Sequence, residues 1–371
     1  MGIQNTSAPF FVALFVTVIT GTLALNAEDH TPSPSFQAGR PVALLNYSEA
    51  HSSEAQFETS LIRPVAFSDM YDGDIVCDDG SCSPKSGGFS GGAALILAKL
   101  HFKEAFQTST IDATTGTMQL TPFEYNYEAN TRAWIGYSRP NGLGVRATYS
   151  YTDQTADAAR LVATPTTFHT AQLLVVNIPA AINTTAPGQL LAVDSSLNTK
   201  IFDLEGTIEL DLGDLDIVGL GGLRYAKLDQ DANATVLDGL FTPLQHLGWG
   251  REFEGIGPSA GVEAHRSLGD TGFSLIGTGR IALLFGKKTL DRVVTPPTGA
   301  IPPVPFVQLD SADEVTPIFD LSLGVGYERP FRMATVLARA TYEGQLWAEA
   351  GAPTLGYIGL QGFALQLGVE R

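Results

Sequence analysis

The chain has 371 residues and a formal charge of −17, from 22 Lys and Arg against 39 Asp and Glu. Apolar residues make up 44% and charged residues only 16%, which argues against an unstructured chain. The charge and the lack of a basic cluster argue against a nucleic-acid partner. Two cysteines exclude a disulfide-rich scaffold and any multi-cysteine metal module.

The N-terminus reads as an export signal. Residues 10–25 are the uncharged stretch FFVALFVTVITGTLAL, which is followed by small residues, Glu28 and Asp29. This pattern predicts a cleaved secretory signal peptide over residues 1–27, although no Lys or Arg precedes it. An uncleaved anchor is the alternative, but a membrane-crossing helix needs ~20 apolar residues.

Residues 28–88 form the next predicted segment. They are rich in Ser, Pro, Asp and Glu and show no sustained periodicity, which is typical of an acidic, largely disordered linker. Cys77 and Cys82 lie within it, in the sequence CDDGSC. In an exported protein this spacing predicts a small local disulfide, with two free thiols as the alternative.

From Phe89 onward the apolar residues recur with period two. The stretch from Phe202 to Leu212, FDLEGTIELDL, alternates apolar and acidic or polar residues throughout, as in a strand with one apolar face. Ten such segments are predicted, and all are long enough for a tilted membrane-crossing strand of ~9–11 residues. They are Gly91–His101, Phe123–Tyr137, Leu143–Tyr151, Ile201–Leu212, Leu215–Leu228, Phe253–Arg266, Phe273–Phe285, Ile318–Glu328, Met333–Trp347 and Gly356–Glu370.

The connections between these segments alternate in length. Tight turns are predicted at Ser138–Gly142, Gly213–Asp214, Ser267–Gly272 and Arg329–Arg332, and mostly long loops between the remaining neighbours. Four of these loops are long: Phe102–Pro122, Thr152–Lys200, Asp229–Glu252 and Gly286–Pro317. Such asymmetry is typical of outer-membrane barrels with short periplasmic turns and long outer loops. The segment LLVVNIPA, Leu173–Ala180, is a candidate for an extra strand.

Two architectures fit the alternation. In a soluble sandwich the apolar faces meet in a dry core, whereas in a membrane barrel they meet lipid. Strand length, the asymmetry of the connections and the signal peptide favour the second. We therefore predict an all-β fold, an antiparallel transmembrane up-and-down barrel of about ten strands, twelve with extra strands, over residues 89–371. Trp134 and Trp347 are predicted to lie in its interfacial aromatic girdles.

Several segments resemble one family. The stretches FSGGAALILAKLHF, TRAWIGYSRPNGLGVRATYSY, FEGIGPSAGVEAHR and LGYIGLQGFALQLGVER are similar, in this order, to Legionella-type pore-forming major outer membrane proteins. The resemblance covers about Phe89 to Arg371 and implies an outer-membrane barrel that forms a pore. The chain departs from the usual pattern because it ends in Arg371 and not in an aromatic residue.

The polar strand faces are predicted to line the lumen. We expect passive diffusion of ions or small solutes, with cation preference from the acidic excess. The alternative is a closed-lumen structural or surface-binding barrel that acts through its long loops. Expected partners are outer-membrane lipid, the barrel assembly machinery and the solutes. The candidate lumen charges are Arg132, Arg146, Asp203, Glu205, Glu209, Asp211, Arg224, Glu263, Arg280, Asp320, Arg339 and Glu343.

An enzyme is not expected. The six histidines, His30, His51, His101, His169, His246 and His265, accompany neither a GxSxG nor an HExxH motif. His265 lies near Ser267, but that serine belongs to a predicted turn. We therefore expect no catalytic residue, no cofactor and no metal site.

Overall fold

The computed structural model describes residues 87–102, 106–121, 123–173, 180–212, 215–295, 306–331, 334–348, 350 and 356–371. The predicted signal peptide, nearly all of the predicted linker, and Cys77 and Cys82 lie outside these residues. Most of the candidate extra strand, residues 174–179, also lies outside them.

Fifteen strands are present in the described residues, and ten of them close into an antiparallel barrel. The barrel order is β1, β4, β5 and then β9 to β15, and the pairing of β15 with β1 completes the ring. This confirms the predicted fold class and excludes an open sandwich. The strands are β1 Gly88–Phe102, β2 Phe106–Asp112, β3 Met118–Thr121, β4 Glu128–Ser138, β5 Leu143–Thr155, β6 Ala159–Val162, β7 Thr167–Leu173, β8 Ala180–Asn183, β9 Leu190–Asp211, β10 Leu215–Leu237, β11 Pro243–Ser267, β12 Phe273–Thr295, β13 Phe306–Phe331, β14 Ala334–Trp347 and β15 Ile358–Glu370.

A band of large apolar side chains faces outward around the barrel. Leu223 is 53% exposed, Leu323 60% and Leu365 64%, and comparable residues lie on all ten barrel strands. Exposed apolar area on this scale is unfavourable in water and favourable in lipid. The band therefore marks the membrane-spanning part of the wall. No helix in the described part of the chain is long and apolar enough to cross a membrane.

The two ends of the barrel differ, and we call them the turn end and the loop end. At the turn end, short connections join β4 to β5, β9 to β10, β11 to β12 and β13 to β14. Gly142 and Gly272 close two of these turns with φ of 78° and 76°. Only glycine adopts this left-handed conformation at little cost, which explains the residue type at both turns.

At the loop end, the prediction of long loops is largely wrong. Much of the sequence assigned to these loops forms strands. Strands β9 to β13 are 22 to 26 residues long, whereas β14 has 14 residues. The prediction of a loop at Asp229–Glu252 fails because β10 and β11 continue to a hairpin loop of only five residues, 238–242. Likewise, much of Gly286–Pro317 belongs to β12 and β13.

The loop-end extension consists of residues 190–200, 227–237, 243–254, 287–295 and 306–314 of these five strands. The remaining strands lie beside it. β6 pairs with β9, and a second sheet has the order β3-β2-β7-β8. These strands come from the predicted loops Phe102–Pro122 and Thr152–Lys200. Ala171 of β7 and Ile182 of β8 pack with Leu191 of β9 and Leu247 of β11 in one apolar cluster.

The apolar face of the wall inverts between the membrane band and the extension. On β9, Phe202 and Leu204 face outward, whereas Val193, Leu197 and Ile201 are buried inside. The alternation continues, but its phase shifts by one residue. Lipid surrounds the wall at the membrane-spanning band, and water surrounds it at the loop-end extension. The apolar core of the extension therefore lies inside the ring of strands.

Candidate functional site

The membrane-spanning lumen contains a network of ion pairs built on Arg224 of β10. Its Nε and Nη2 atoms donate to the two carboxylate oxygens of Asp203 at 2.6 and 3.0 Å. Its Nη1 atom lies 2.7 Å from Oδ2 of Asp320 on β13. The side chains of Arg224 and Asp203 are nearly inaccessible to solvent. A charge buried to this degree must be paired and hydrogen-bonded, and both requirements are met here.

Two further arginines extend this network across the lumen. Arg280 of β12 lies 2.9 Å from Glu205 and 3.5 Å from Asp203. Arg146 of β5 donates to Glu205 at 3.2 Å and to Glu263 of β11 at 2.7 Å. Most of these pairs join strands that are not neighbours in the sheet. They therefore cross the interior between strands that are three positions apart in the ring.

A separate pair occupies the other side of the lumen. Arg132 of β4 donates two parallel hydrogen bonds to Glu343 of β14, at 3.1 and 2.8 Å. Thr341 and Gln366 donate to the same carboxylate at 3.1 and 3.3 Å. Arg339 lines a cavity beside this pair. The structure thus brings together ten of the twelve predicted lumen charges, five arginines and five carboxylates.

Glu209 and Asp211, the other two, lie nearer the turn end of β9. The balance of the ten central charges differs from the acidic excess of the whole chain. The predicted cation preference was inferred from that excess, so the described lumen lends it no support.

A layer of apolar side chains crosses the lumen above the charges, toward the loop end. Phe253, Leu284 and Trp347 have no solvent-accessible surface, and every member of the layer is at most 7% exposed. Tyr125 and Ala156, which lie next to β4 and β5, complete the ring. The layer consists of Leu100, Tyr125, Ala156, Leu197, Ile201, Ala226, Leu228, Phe253, Ala282, Leu284, Ile318, Trp347, Ala350, Ile358 and Leu360.

Trp347 joins the apolar layer to the ion pairs. Its Nε1 atom donates to Gln345 at 2.8 Å, and Gln345 donates to Asp320 at 2.8 Å. The girdle prediction for this tryptophan is therefore wrong, because its side chain faces the lumen and is buried. Trp134 also lines an interior cavity. The sequence could have predicted the inward direction of Gln345 and Trp347. Both lie an even number of residues from Glu343 on β14, so all three side chains are on the same face of the strand.

Two cavities of about 100 Å³ each lie among the lumen charges. One is lined by Arg132, Arg146, Glu263 and Arg339, and the other reaches Asp203 and Arg224. Each has room for about three waters at ~30 Å³ per molecule. The charged part of the lumen is therefore hydrophilic but narrow.

Comparison with known proteins agrees with this architecture. A sequence model of the family described as "Legionella pneumophila major outer membrane protein precursor" matches residues 89–355, which is well over half of the chain. The chain belongs to the Legionella major outer membrane protein family. The predicted resemblance is confirmed, and the family assigns the barrel to an outer membrane. No curated protein matches the chain.

Solved outer-membrane barrels also align with this member of the family. Outer membrane protease OmpT from Escherichia coli is 12% identical, with a TM-score of 0.41, and 78% of this chain and 97% of that chain are covered. A Pseudomonas aeruginosa FadL homologue is 7% identical with a TM-score of 0.23, covering 77% and 90%. The toluene transporter TodX from P. putida is 8% identical with a TM-score of 0.23, covering 78% and 90%.

Each described histidine has polar neighbours. His169 contacts Thr110 and the carbonyl group of Val162, His246 contacts Thr235, and His101 contacts Gln361. His265 lies 4.0 Å from Glu263. Within the described residues, no histidine side chain hydrogen-bonds a serine or cysteine. The same residues contain no group of three or more His, Cys, Asp or Glu side chains that could hold a metal ion.

Charged residues also face the interior of the loop-end extension. Arg251 and Lys288 lie 3.4 and 3.0 Å from Glu314. Burial lowers the pKa of Arg251 to about 10, and the nearby charge of Glu314 opposes this shift. On the outward face, burial and the neighbouring Asp229, Asp291 and Asp194 raise the pKa of Asp231. The interior of the extension thus contains charged side chains as well as its apolar cluster.

Proposed function

We propose that this protein is a non-enzymatic outer-membrane barrel with a closed resting lumen, which acts through the loop-end extension at the cell surface. The observation that carries this proposal is the buried apolar layer across the lumen. In a water-filled pore, the wall would be accessible to solvent at every level. Here Phe253, Leu284 and Trp347 are inaccessible at one level of the ring.

The size of the barrel supports the same conclusion. Barrels of about 8 strands are filled by their own side chains, while barrels of about 16 leave an aqueous channel. With ten strands, this barrel is near the filled limit, and ion pairs such as Arg224–Asp320 and Arg146–Glu263 cross its interior. Charges that pair across the lumen stabilise a closed interior better than they attract a passing ion.

The exposed parts of the extension are the surfaces available for contact. The hairpin loop between β10 and β11 presents Leu240 and Phe241, which are 86% and 70% exposed. Phe241 has a φ of 61°, and Asp238 accepts hydrogen bonds from the backbone of Leu240 and Thr242. We place this end outside the cell and the tight turns in the periplasm. Lipid around the apolar band and the barrel assembly machinery are the other proposed partners.

Passive diffusion of small solutes or ions is the second candidate function. It is favoured by the two cavities among the lumen charges, which extend from the apolar layer toward the turn end. Diffusion through the barrel would require the layer to move, because it blocks the path between these cavities and the loop end.

Conductance in a planar bilayer tests the proposal. The full mature chain is refolded, and heat-modifiable gel mobility verifies the barrel. We expect no discrete conductance steps from the wild type and steps from the double variant Phe253→Ala/Trp347→Ala. Phe285→Ala, which removes an exposed outward side chain, is the matched control and should show no conductance steps. Reproducible steps from the folded wild type would overturn the closed-lumen proposal and establish the pore.

A further inference from the structure

Arg339 differs from the other four arginines of the lumen. Arg132, Arg146, Arg224 and Arg280 each lie within 3.2 Å of at least one carboxylate. Arg339 forms no ion pair and no side-chain hydrogen bond with any described residue. Its side chain faces the lumen from β14, opposite Gly326 of β13 in the strand register. A guanidinium group inside a membrane barrel is thus left without a direct counter-ion.

The carboxylates near Arg339 are already bound by other groups. Arg339 interacts electrostatically with Glu263, but the carboxylate of Glu263 lies 2.7 Å from Arg146 and 4.0 Å from His265. Glu343 accepts both hydrogen bonds from Arg132. Glu209 and Asp211 lie on β9, which is five strands from β14 on the opposite wall. The positive charge of Arg339 is therefore balanced only at a distance.

The space in front of Arg339 is a cavity of about 100 Å³. Arg146 and Arg280 of its lining are also paired with Glu205, so Arg339 is the arginine of this cavity that has no direct carboxylate partner among the described residues. The charged lining is four arginines and two glutamates. These residues are Arg132, Arg146, Arg280, Arg339, Glu263 and Glu343. Ser322, Thr341 and Gln366 add neutral polar groups to the same wall. A tetrahedral oxyanion needs on the order of the volume of two or three waters, so it fits this space.

We propose that this cavity is a binding site for a small oxyanion of the phosphate or sulfate class, with Arg339 as its principal ligand. The planar guanidinium fork presents five N–H donors in a geometry that matches two oxygens of such an anion. The low dielectric constant of the surroundings strengthens this pairing. The site lies on the turn-end side of the apolar layer, so a free ion reaches it from that side and not across the barrel.

Binding of inorganic phosphate to the full mature chain, refolded in detergent micelles, tests this site. Isothermal titration at constant ionic strength, set with chloride, should show saturable binding at one site. Arg339→Gln should weaken the affinity at least tenfold. Arg339→Lys keeps the positive charge but loses the planar guanidinium group. Its affinity for phosphate should lie between those of the wild type and Arg339→Gln. Arg266→Gln changes an exposed arginine at the turn end of β11 and should stay within twofold of the wild type.

A second measurement covers the case in which Arg339→Gln does not fold. Trp134 lines the same cavity, so phosphate should change the tryptophan fluorescence of the wild type. The change should be lost in Trp134→Phe and be reproduced by sulfate. Absence of saturable phosphate binding by the folded wild type would overturn the proposal, as would equal affinity in a folded Arg339→Gln variant. Neither result bears on the bilayer conductance that tests the closed lumen.

Discussion

Replacing Arg224 by Ala tests whether the lumen network stabilises the barrel. The substitution removes three short contacts, two to Asp203 and one to Asp320. Asp203 then keeps only Arg280, at 3.5 Å, and Asp320 keeps the hydrogen bond from Gln345 at 2.8 Å. Two carboxylates are therefore left with incomplete neutralisation in a buried part of the lumen.

The expected loss of stability follows from that change. Removing one partner of a buried ion pair destabilises a protein by ~3–5 kcal/mol, because the remaining charge stays buried. The surviving contacts of both carboxylates place Arg224→Ala near ~3 kcal/mol, about a hundredfold change in the ratio of folded to unfolded chains. Urea unfolding in lipid vesicles, followed by heat-modifiable mobility and tryptophan fluorescence, measures this free energy.

The double variant Arg224→Ala/Asp320→Asn separates pairing from packing. It should recover part of the loss, because one uncompensated charge is removed together with its partner. Arg266→Ala is the matched control, since this arginine is exposed, and it should change the free energy of unfolding by less than ~0.5 kcal/mol. A loss below ~1 kcal/mol for Arg224→Ala would refute the argument that the network is buried and mutually dependent.

Three further predictions use other parts of the wall. Gly222→Ala should cost ~1–3 kcal/mol in the same unfolding assay, because its Cβ would lie within 2.1 Å of the Leu204 carbonyl oxygen, whereas neighbouring Gly221 has open space and its Ala variant should be neutral. Asp231→Asn should raise the thermal midpoint at pH 7, since the raised pKa of Asp231 means that its ionised form disfavours folding above that pKa; the gain should shrink as the pH falls toward ~4. Backbone hydrogen bonds from Thr242 and Leu240 lower the pKa of Asp238, so its contribution is present above its unfolded pKa of ~3.9 and lost as the pH falls through its lowered folded pKa. Asp238→Ala should therefore speed amide exchange in the 238–242 hairpin loop at neutral pH, and hydrogen exchange of wild type and variant at matched pH checks this.

The membrane-spanning wall could be predicted because lipid imposes a simple rule on it. Each strand there alternates one apolar face with one polar face, and the outward exposure of Leu204, Leu223 and Leu323 follows that rule. Tight turns such as Arg139–Gly142 carry a glycine whose positive φ the turn requires. Strand number and turn positions could therefore be read from the sequence with little error.

The loop-end extension could not be predicted by the same rule. Its strands still alternate, but Val193 and Leu197 occupy the parity that holds Asp203 and Glu205 farther along β9. A search for a constant apolar phase ends each strand at this inversion and assigns the remainder to loops. The pairing of charged residues across the lumen could not be predicted from the sequence either. Arg146 meets Glu263 across 117 positions and between strands that are not neighbours, so only the closed ring brings them together.

The inversion and the ion pairs have a common physical cause. Below the apolar layer, lipid takes the apolar faces outward, so the polar faces of ten strands must share a narrow interior, and opposite charges such as Arg224 and Asp203 satisfy one another there. From the layer toward the loop end, the apolar faces turn inward, beginning in the layer itself, where Leu197, Phe253 and Trp347 meet, and water surrounds the wall of the extension beyond it. A ring of ten strands is closer to the barrels of about 8 strands that side chains fill than to those of about 16 that leave an aqueous channel. The closed lumen that we propose follows from the strand number and from the change of solvent along the wall, and a variant that opens it must disturb the layer where the two phases meet.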